Sequence, residues 1–230
     1  METIQQRIDQ VLQQIRNAEK TYNRAPGSVK LLAVSKTWPL EEILKAAKAG
    51  QVCFGENYVQ EAIAKIDACP LKLEWHFIGH IQSNKSRDIA TRFNWVHSVD
   101  SLKLARRLSE QRPENLAPLN ICLQVNISAE ANKSGLSPDK VTLLAQQISE
   151  LPNIKLRGLM AIPAPSQDFN QQRAVFNQVR ELQNSLIEQG MALDTLSMGM
   201  SNDMVAAIAE GATIVRVGTA IFGQRKRKPI

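Results

Sequence analysis

The chain has 230 residues, 43% of them hydrophobic, and a formal net charge of +6 at pH 7. Four of the positive charges form the run RKRK at 225–228, so the rest of the chain is close to neutral and an extended nucleic-acid-binding face is not predicted. No apolar stretch reaches the length of a membrane span, and the three scattered cysteines fit neither a disulfide framework nor a metal site. The polar N-terminal segment is not typical of a signal peptide, so we expect a cytoplasmic protein.

The first 24 residues predict one amphipathic helix. Apolar residues recur there at helical spacing, at Ile4, Ile8, Val11, Leu12 and Ile15. The segment RAPGS then breaks the pattern with proline and glycine. We expect this helix to pack on the remainder of the fold through a narrow apolar stripe.

From that break onward, strand-like and helix-like segments alternate. The strand candidates are VKLLAVSKT, QVCFGEN, LEWHFIGH, WVHSVD, NICLQVNI, KLRGLMAIP, DTLSMGMS and TIVRVGTAIFG. Each parallel return needs a crossover, and eight such units in about 200 residues fit a closed barrel better than an open sheet. We therefore predict a single α/β domain over 1–230, a (β/α)8 TIM-type barrel. The extra helix at 1–24 would cover the flank left by a short last helix, and 224–230 would form a basic tail.

Lys36 ends the apolar strand LLAVSKT. In barrels of this kind, active sites lie at the carboxyl ends of the strands. Desolvation lowers the pKa of a buried amine, and a neutral amine attacks aldehydes. A functional nucleophile is therefore one interpretation of Lys36, and a lysine that extends its ammonium group to solvent is the other.

The segments that end the seventh and eighth strands suggest a phosphate site. In SMGMSNDM, Ser201 is predicted to cap a short helix. In VRVGTAIFG (215–223), interpreted as the eighth strand, Gly218 and Thr219 lie near the strand end, where glycine permits close backbone approach. Barrels frequently bind phosphate with the loops after these two strands. An ordinary capped helix is the alternative.

Three further polar residues fall on the predicted strands or their ends. Alternation in β8 turns the flanking valines to one side and Arg216 to the barrel interior. There it would either pair with a carboxylate such as Glu56 or donate to a ligand. Asn57 could orient a ligand hydroxyl, and His80 is either a ring contact or a satisfied core histidine.

Seven motifs carry a resemblance to a known family: LLAVSKT, FGENYVQE, WHFIGHIQSNK, VNISAEANKSGL, LRGLMAIP, LSMGMSNDM and RVGTAIFG. In this order and over about residues 1 to 223, the chain resembles the pyridoxal 5′-phosphate homeostasis protein family, a group of proteins that bind this cofactor. The resemblance implies a fold-type III barrel similar to the N-terminal domain of alanine racemase. It also implies pyridoxal 5′-phosphate as the cofactor.

The resemblance assigns the cofactor to residues on or after the predicted strands: Lys36, Asn57, His80, Met160, Met198, Ser201, Arg216, Gly218 and Thr219. It implies that Lys36 forms the internal aldimine, a reversible Schiff base. Ser201, Gly218 and Thr219 would hold the phosphate, and Arg216 would face the pyridine nitrogen. The other four would flank the ring or line the pocket.

The same resemblance favours a carrier over a catalyst. An arginine beside the pyridine nitrogen weakens the electron sink, although alanine racemase works with one. The racemase also has a second domain that supplies a catalytic tyrosine and builds the dimer. Tyr22 and Tyr58, the two tyrosines of this chain, are poorly placed for that role. We therefore expect no catalytic residues, no enzyme activity and a monomer.

The predicted function is homeostasis of intracellular pyridoxal phosphate, with effects on amino-acid and keto-acid metabolism. The cofactor itself and cofactor-dependent apo-enzymes would be the partners, with neither membrane nor nucleic acid involved. A weakly active racemase or lyase is the main alternative. A regulatory protein that signals cofactor occupancy to a partner is another, and a class I aldolase with a barrel lysine is a third.

Overall fold

The computed structural model describes residues 2–128 and 134–224, so the predicted basic run at 225–228 lies outside the described residues. Parallel strands close into a barrel in chain order, with each strand paired to its neighbours in sequence and the first to the last. They are β1 (Lys30–Val34), β2 (Cys53–Glu56), β3 (Glu74–Phe77), β4 (Trp95–Val99), β5 (Leu119–Val125), β6 (Ile154–Ala161), β7 (Thr195–Ser197) and β8 (Ile214–Val217). The predicted (β/α)8 architecture is confirmed.

Helices surround the barrel and bury the apolar outward faces of its strands. They are α1 (Ile4–Thr21), α2 (Leu40–Lys48), α3 (Val59–Ala68), α4 (Ser86–Arg92), α5 (Leu102–Gln111), α6 (Pro138–Ser149), α7 (Phe169–Glu188), α8 (Met204–Ala209) and α9 (Thr219–Phe222). Within the described ranges, no helix is both long and apolar enough to cross a membrane.

The N-terminal helix α1 closes the barrel's outer layer. Its first turn is fixed by a capping box, in which Thr3 and Gln6 each accept a backbone N–H from the other. The buried stripe that includes Ile8 and Val11 packs against α8 and the short α9. Because α9 spans only 219–222, α1 covers the flank that a full-length last helix would occupy, as the sequence predicted.

The barrel interior carries polar side chains from alternate positions of several strands. In β8, Val215 and Val217 join the core that faces the helices, so Arg216 points inward, as predicted from the alternation. Immediately after β7, Met198 joins that same outer core, whereas Ser197, the last residue of the strand, contacts Arg216 inside the barrel. This alternation decides which side chains reach the barrel axis.

Three local predictions were wrong. The first strand ends at Val34, so Lys36 lies in a turn two residues beyond the strand instead of ending it. The eighth strand ends at Val217, not at residue 223, because Gly218 leaves the strand and starts α9, with its carbonyl accepting from the N–H groups of two later residues. Ser201 does not cap α8, because the helix begins later, with Asp203 at the N-cap. Ser201 instead lies in the tight turn at 200–203 before the helix.

Candidate functional site

A cavity of about 440 Å³ opens at the carboxyl ends of the strands. This volume lies in the range of small-ligand pockets. Six of the nine predicted site residues line it together: Lys36, Asn57, Ser201, Arg216, Gly218 and Thr219. The wall also includes apolar residues such as Trp38 and Ile162, so charged and polar groups converge against an apolar surface.

The other three predicted residues do not line this cavity. Met198 is fully buried in the outer core, because the strand parity that brings Ser197 inside the barrel sends Met198 out toward the helices. Met160 is fully buried in a separate cluster with Trp95 and Cys122. His80 lies exposed on the segment after β3. The structure therefore does not bring these three residues to the cavity wall, and their contact with a cofactor stays a prediction from the family resemblance.

A buried ion pair holds the backbone immediately before Lys36. Lys65, on α3, donates from Nζ to the carbonyl of Ser35 at 3.0 Å and to Oε1 of Glu56 at 2.8 Å. The Ser35 hydroxyl donates to the same carboxylate oxygen at 2.6 Å. Both the carbonyl and the side chain of Ser35 are therefore fixed, which limits the positions that Lys36 can adopt.

The residue after Lys36 is held by the same network. Thr37 has φ of +68°, a conformation that is strained for a β-branched residue. Its N–H donates to Oε1 of Glu61 at 2.6 Å, and this oxygen also accepts from Lys65 at 2.5 Å. Lys65 therefore links the anchors on both sides of Lys36.

Glu56 was the carboxylate considered as a partner for Arg216, but it bonds to Lys65 between the barrel and α3. The side chains of Glu56 and Lys65 are 0% and 8% exposed, so the pair is shielded from water. Burial raises the pKa of Glu56, and the nearby Lys65 ammonium opposes that rise. We call the hydrogen bonds of Lys65, Glu56 and Glu61 to the residues on either side of Lys36 the clamp. The clamp depends on the Glu56–Lys65 ion pair, in which each charge stabilises the other out of water.

Arg216 is buried and is held by neutral acceptors at the cavity wall. Its Nη1 donates to the carbonyl of Ser197 at 2.6 Å and to the Ser197 hydroxyl at 2.9 Å, and its Nη2 donates to the Ala161 carbonyl at 2.9 Å. Burial lowers the pKa of Arg216 to about 10, which leaves the guanidinium charged at neutral pH. Because these three acceptors are uncharged, the charge of Arg216 is opposed by the Asp203 carboxylate at the same cavity wall, and it can also act on a ligand there.

The turn after β7 brings backbone close to the cavity. Gly199 has φ of +91°, and a Cβ added there would lie 2.5 Å from the Cβ of Ala207, so only glycine lets the turn pack on α8. The N–H of Met200 donates to Oδ1 of Asp203 at 2.5 Å, and burial raises the pKa of that carboxyl. The turn thereby holds Ser201 at the rim.

Backbone groups after β8 form the adjoining part of the wall. Gly218 accepts from the N–H groups of Ile221 and Phe222 through its carbonyl, which starts α9. The first N–H groups of a helix have no partner within it. Gly218 and Thr219 both line the cavity, so the first backbone N–H groups of α9 lie beside it. These N–H groups can bind an anionic group.

Asn57 brings an unsatisfied acceptor to the cavity. Its Oδ1 is buried, and within the described residues no hydrogen-bond partner reaches it. Its backbone is held tightly, because a Cβ on Gly79 would lie 2.2 Å from the Asn57 carbonyl oxygen. A buried acceptor without a partner is unfavourable, so a ligand donor at this position would be stabilised.

Sequence reasoning missed the residues that hold the site in place. Lys65 and Glu61 look like an ordinary helix-surface pair at i,i+4 spacing, and no local signal places them under Lys36. Asp203 and Trp38 occur within the motif SMGMSNDM and just after LLAVSKT, so their sequence positions next to predicted site residues could have identified them as wall residues.

The barrel with this cavity defines the class of the protein. The family profile described as "Alanine racemase, N-terminal domain" matches residues 11–226. The structure of an alanine racemase from Clostridium difficile superposes with a TM-score of 0.70 at 16% identity, covering 93% of this chain and 56% of that one. At such identity the likeness establishes the shared fold alone.

Full-length relatives define the family more narrowly. The chain is 55% identical over 230 residues to the "Pyridoxal phosphate homeostasis protein" of Vibrio cholerae, and 48% identical over 229 residues to that of Escherichia coli, with 98% of each chain covered. It therefore belongs to the pyridoxal phosphate homeostasis protein family, and the resemblance stated from the motifs is confirmed. PipY of Synechococcus elongatus, solved with pyridoxal phosphate bound, has a TM-score of 0.79 at 40% identity, covering 91% of this chain and 100% of that one.

Proposed function

We propose that this protein binds pyridoxal phosphate in the cavity and serves its homeostasis in the cell without catalysing a reaction of its own. One observation carries the proposal: an amine, a guanidinium and the backbone after β7 and β8 converge on one cavity in a member of this family. The fit is chemical as well as steric. The cavity offers Arg216 to an anionic, aromatic ligand and the buried Oδ1 of Asn57 to a ligand donor.

Lys36 is the residue that would hold the cofactor covalently. When bound, pyridoxal phosphate supplies an aldehyde carbon that an amine can attack. Lys36 Nζ would hold this carbon by a reversible covalent bond. The clamp from Lys65 and Glu61 would keep the lysine at the cavity and lower the conformational entropy lost on binding.

The phosphate and the ring would be bound by separate parts of the wall. The Ser201 hydroxyl, the Thr219 hydroxyl and the backbone donors at Gly218 would bind the phosphate, since they are the donors at the two loops that line the cavity. Arg216 would donate to the ring nitrogen and keep it from taking up a proton. Asn57 would contact a polar group of the ring.

The residues of the cavity favour a carrier. Among the described wall residues, Lys36, Asp203 and Arg216 have titratable side chains; Arg216 is charged at neutral pH, and Asp203 already accepts the N–H of Met200. Racemisation needs an acid and a base on opposite faces of the substrate carbon. Tyr58 is exposed at the start of α3, and Tyr22 contacts Arg173 at 5.8 Å, so neither tyrosine lines the cavity.

The partners follow from a carrier role. Apo-enzymes that need pyridoxal phosphate would receive the cofactor, and changes in their occupancy would affect amino-acid and keto-acid metabolism. A regulatory protein that recognises the loaded form is a second candidate partner. The monomeric state and the cytoplasmic location remain predictions from the sequence.

The test combines binding with turnover. Purified protein, Lys36→Ala and the control Lys48→Ala, which removes an exposed helix lysine, are titrated with pyridoxal phosphate and with unphosphorylated pyridoxal while absorbance is followed. We expect tight binding of the phosphorylated form by the wild type and the control, and weak binding by Lys36→Ala. Incubation with L-alanine, D-alanine or threonine should yield neither racemisation nor cleavage. Turnover that disappears in Lys36→Ala would instead support the racemase or lyase alternative, and absence of binding would overturn the proposal.

A further inference from the structure

Hydrogen bonds between side chains connect the two mouths of the barrel through its interior. From the cavity inward, the Ser197 hydroxyl lies 2.9 Å from Nη1 of Arg216 and 2.7 Å from Nδ1 of His97. His97 Nε2 lies 2.8 Å from Nδ1 of His76, whose Nε2 lies 2.8 Å from Oε1 of Glu74. Glu74 is the first residue of β3, at the opposite mouth from the cavity.

The carboxylate at the far mouth decides the direction of each hydrogen bond. The hydrogen bond from His76, together with Lys30, lowers the pKa of Glu74 to about 2, so this group is ionised and can only accept. His76 Nε2 must then carry a proton. Burial lowers the pKa of His76 and of His97, so both rings are neutral and each has one donor and one acceptor nitrogen.

The proton on Nε2 of His76 determines where the other protons of this hydrogen-bonded path lie. Because Nδ1 of neutral His76 has no proton, His97 must donate to it from Nε2. His97 Nδ1 is then an acceptor, and the Ser197 hydroxyl must donate its proton there. The lone pairs of the Ser197 oxygen are left to accept from Arg216. Each hydrogen bond along the path from Arg216 to Glu74 is therefore donated in the direction that leads away from the cavity.

This interior is unusual for a barrel core. The interior of such barrels is commonly filled by branched apolar side chains, and apolar residues of similar volume are often as stabilising as a buried polar chain. His76 and His97 are both fully buried and both engaged at their two ring nitrogens. A hydrogen-bond network in which every polar group has its partners fixes one arrangement of its side chains.

We propose that Glu74 is a positioning residue for Arg216 and acts through the three side chains between them. The carboxylate fixes the tautomers of both histidines, and the second histidine fixes the hydroxyl that receives the guanidinium. Arg216 is thereby held in one orientation at the cavity wall before any ligand enters. The consequence for cofactor affinity rests on the proposed function, whereas the orientation of Arg216 does not.

The test uses Glu74→Gln, because an amide can either donate to or accept from His76 and so no longer dictates the direction. Ser197→Ala removes the link next to Arg216. The matched control is Asp194→Asn, which removes another ion-paired carboxylate, bound to Arg157, that lies just before β7 and makes none of the hydrogen bonds between Glu74 and Arg216.

Nitrogen NMR of the imidazole and guanidinium groups in the ligand-free protein gives the first measurement. We expect proton-bearing Nε2 on both His76 and His97, and a slowly rotating Arg216 guanidinium, in the wild type and in Asp194→Asn. Glu74→Gln should give mixed tautomers and faster guanidinium rotation. A proton on Nδ1 of either histidine in the wild type, or unchanged rotation of Arg216 in Glu74→Gln, would overturn the proposal.

Absorbance titration with pyridoxal phosphate gives the second measurement. A net hydrogen-bond loss of about 1 kcal/mol corresponds to about a 5-fold rise in dissociation constant, which we expect for Glu74→Gln. Ser197→Ala should show at least the same loss, and Asp194→Asn should match the wild type. Equal affinities of Glu74→Gln and the wild type for pyridoxal phosphate would refute the claim that Glu74 positions Arg216 for cofactor binding. Absence of binding by every protein would instead refute the proposed function, and the NMR result would still decide the inference.

Discussion

Lys65→Met removes the ammonium group that joins both anchors of Lys36. The substitution keeps most of the apolar volume of the side chain but leaves the carboxylate of Glu56 buried without its cation. Breaking a buried ion pair from one side costs about 3–5 kcal/mol, because the remaining charge stays out of water. The carbonyl of Ser35 also loses a donor at 3.0 Å. We expect a loss of this size in the free energy of unfolding.

The loss should depend on pH in a defined direction. Burial already raises the pKa of Glu56 above its unfolded value, and removing Lys65 removes the largest opposing effect. A carboxyl group with a raised folded-state pKa stabilises the fold below its unfolded pKa and loses that contribution as pH rises through the folded value. Lys65→Met should therefore be less destabilised at pH 5 than at pH 8.

Urea denaturation at the two pH values measures both effects. The control is Lys45→Met, because the Lys45–Glu42 pair is on the surface, with the lysine side chain 63% exposed. Such a pair contributes at most about 1 kcal/mol. Adding Glu56→Gln to Lys65→Met should recover stability relative to Lys65→Met alone. A loss below about 1 kcal/mol, or an equal loss at both pH values, would refute this account of the clamp.

Two further predictions concern the glycine turn and the buried histidines. Gly199→Ala should lose about 1–3 kcal/mol more than Gly50→Ala, since both have positive φ but only Gly199 would press a Cβ against Ala207; equal losses in urea denaturation would refute the steric reasoning. Because burial holds the pKa of His76 and His97 below 6.5, unfolding binds protons, and stability should fall as pH drops below 6.5 by up to about 1.4 kcal/mol per pH unit for each histidine. His97→Gln should reduce that slope between pH 6.5 and 5.5, and an unchanged slope would show that this histidine is not responsible.

The fold was predictable because its signals are local and repeat eight times. Most strand segments are largely apolar and are followed by a helical pattern, so no single boundary had to be right. The errors fell on boundaries set by contacts distant in sequence. Ser201 has the composition of a helix cap, but the turn is closed by Asp203, which accepts the N–H of Met200. Tertiary packing of Gly199 on Ala207 fixes where that turn lies.

The site was predictable wherever function followed from position on a strand. Lys36 and Arg216 were identified from strand ends and alternation, and both line the cavity. Met198 was assigned from the family resemblance, and the parity of β7 takes it to the outer core. The interior path from Arg216 to Glu74 includes a hydrogen bond between His97 and Ser197, which are 100 positions apart in sequence, and only the closed barrel brings these residues into contact. No sequence pattern reports such pairings.

Reductive fixation of the cofactor identifies the lysine that holds it. Protein loaded with pyridoxal phosphate is reduced with borohydride, digested and mapped by mass spectrometry, beside Lys36→Ala and the exposed-lysine control Lys48→Ala. We expect a phosphopyridoxyl label on Lys36 in the wild type and in the control, and loss of that label in Lys36→Ala. A label spread over surface lysines, or one of equal yield in Lys36→Ala, would contradict the assignment of Lys36 as the residue that holds the cofactor.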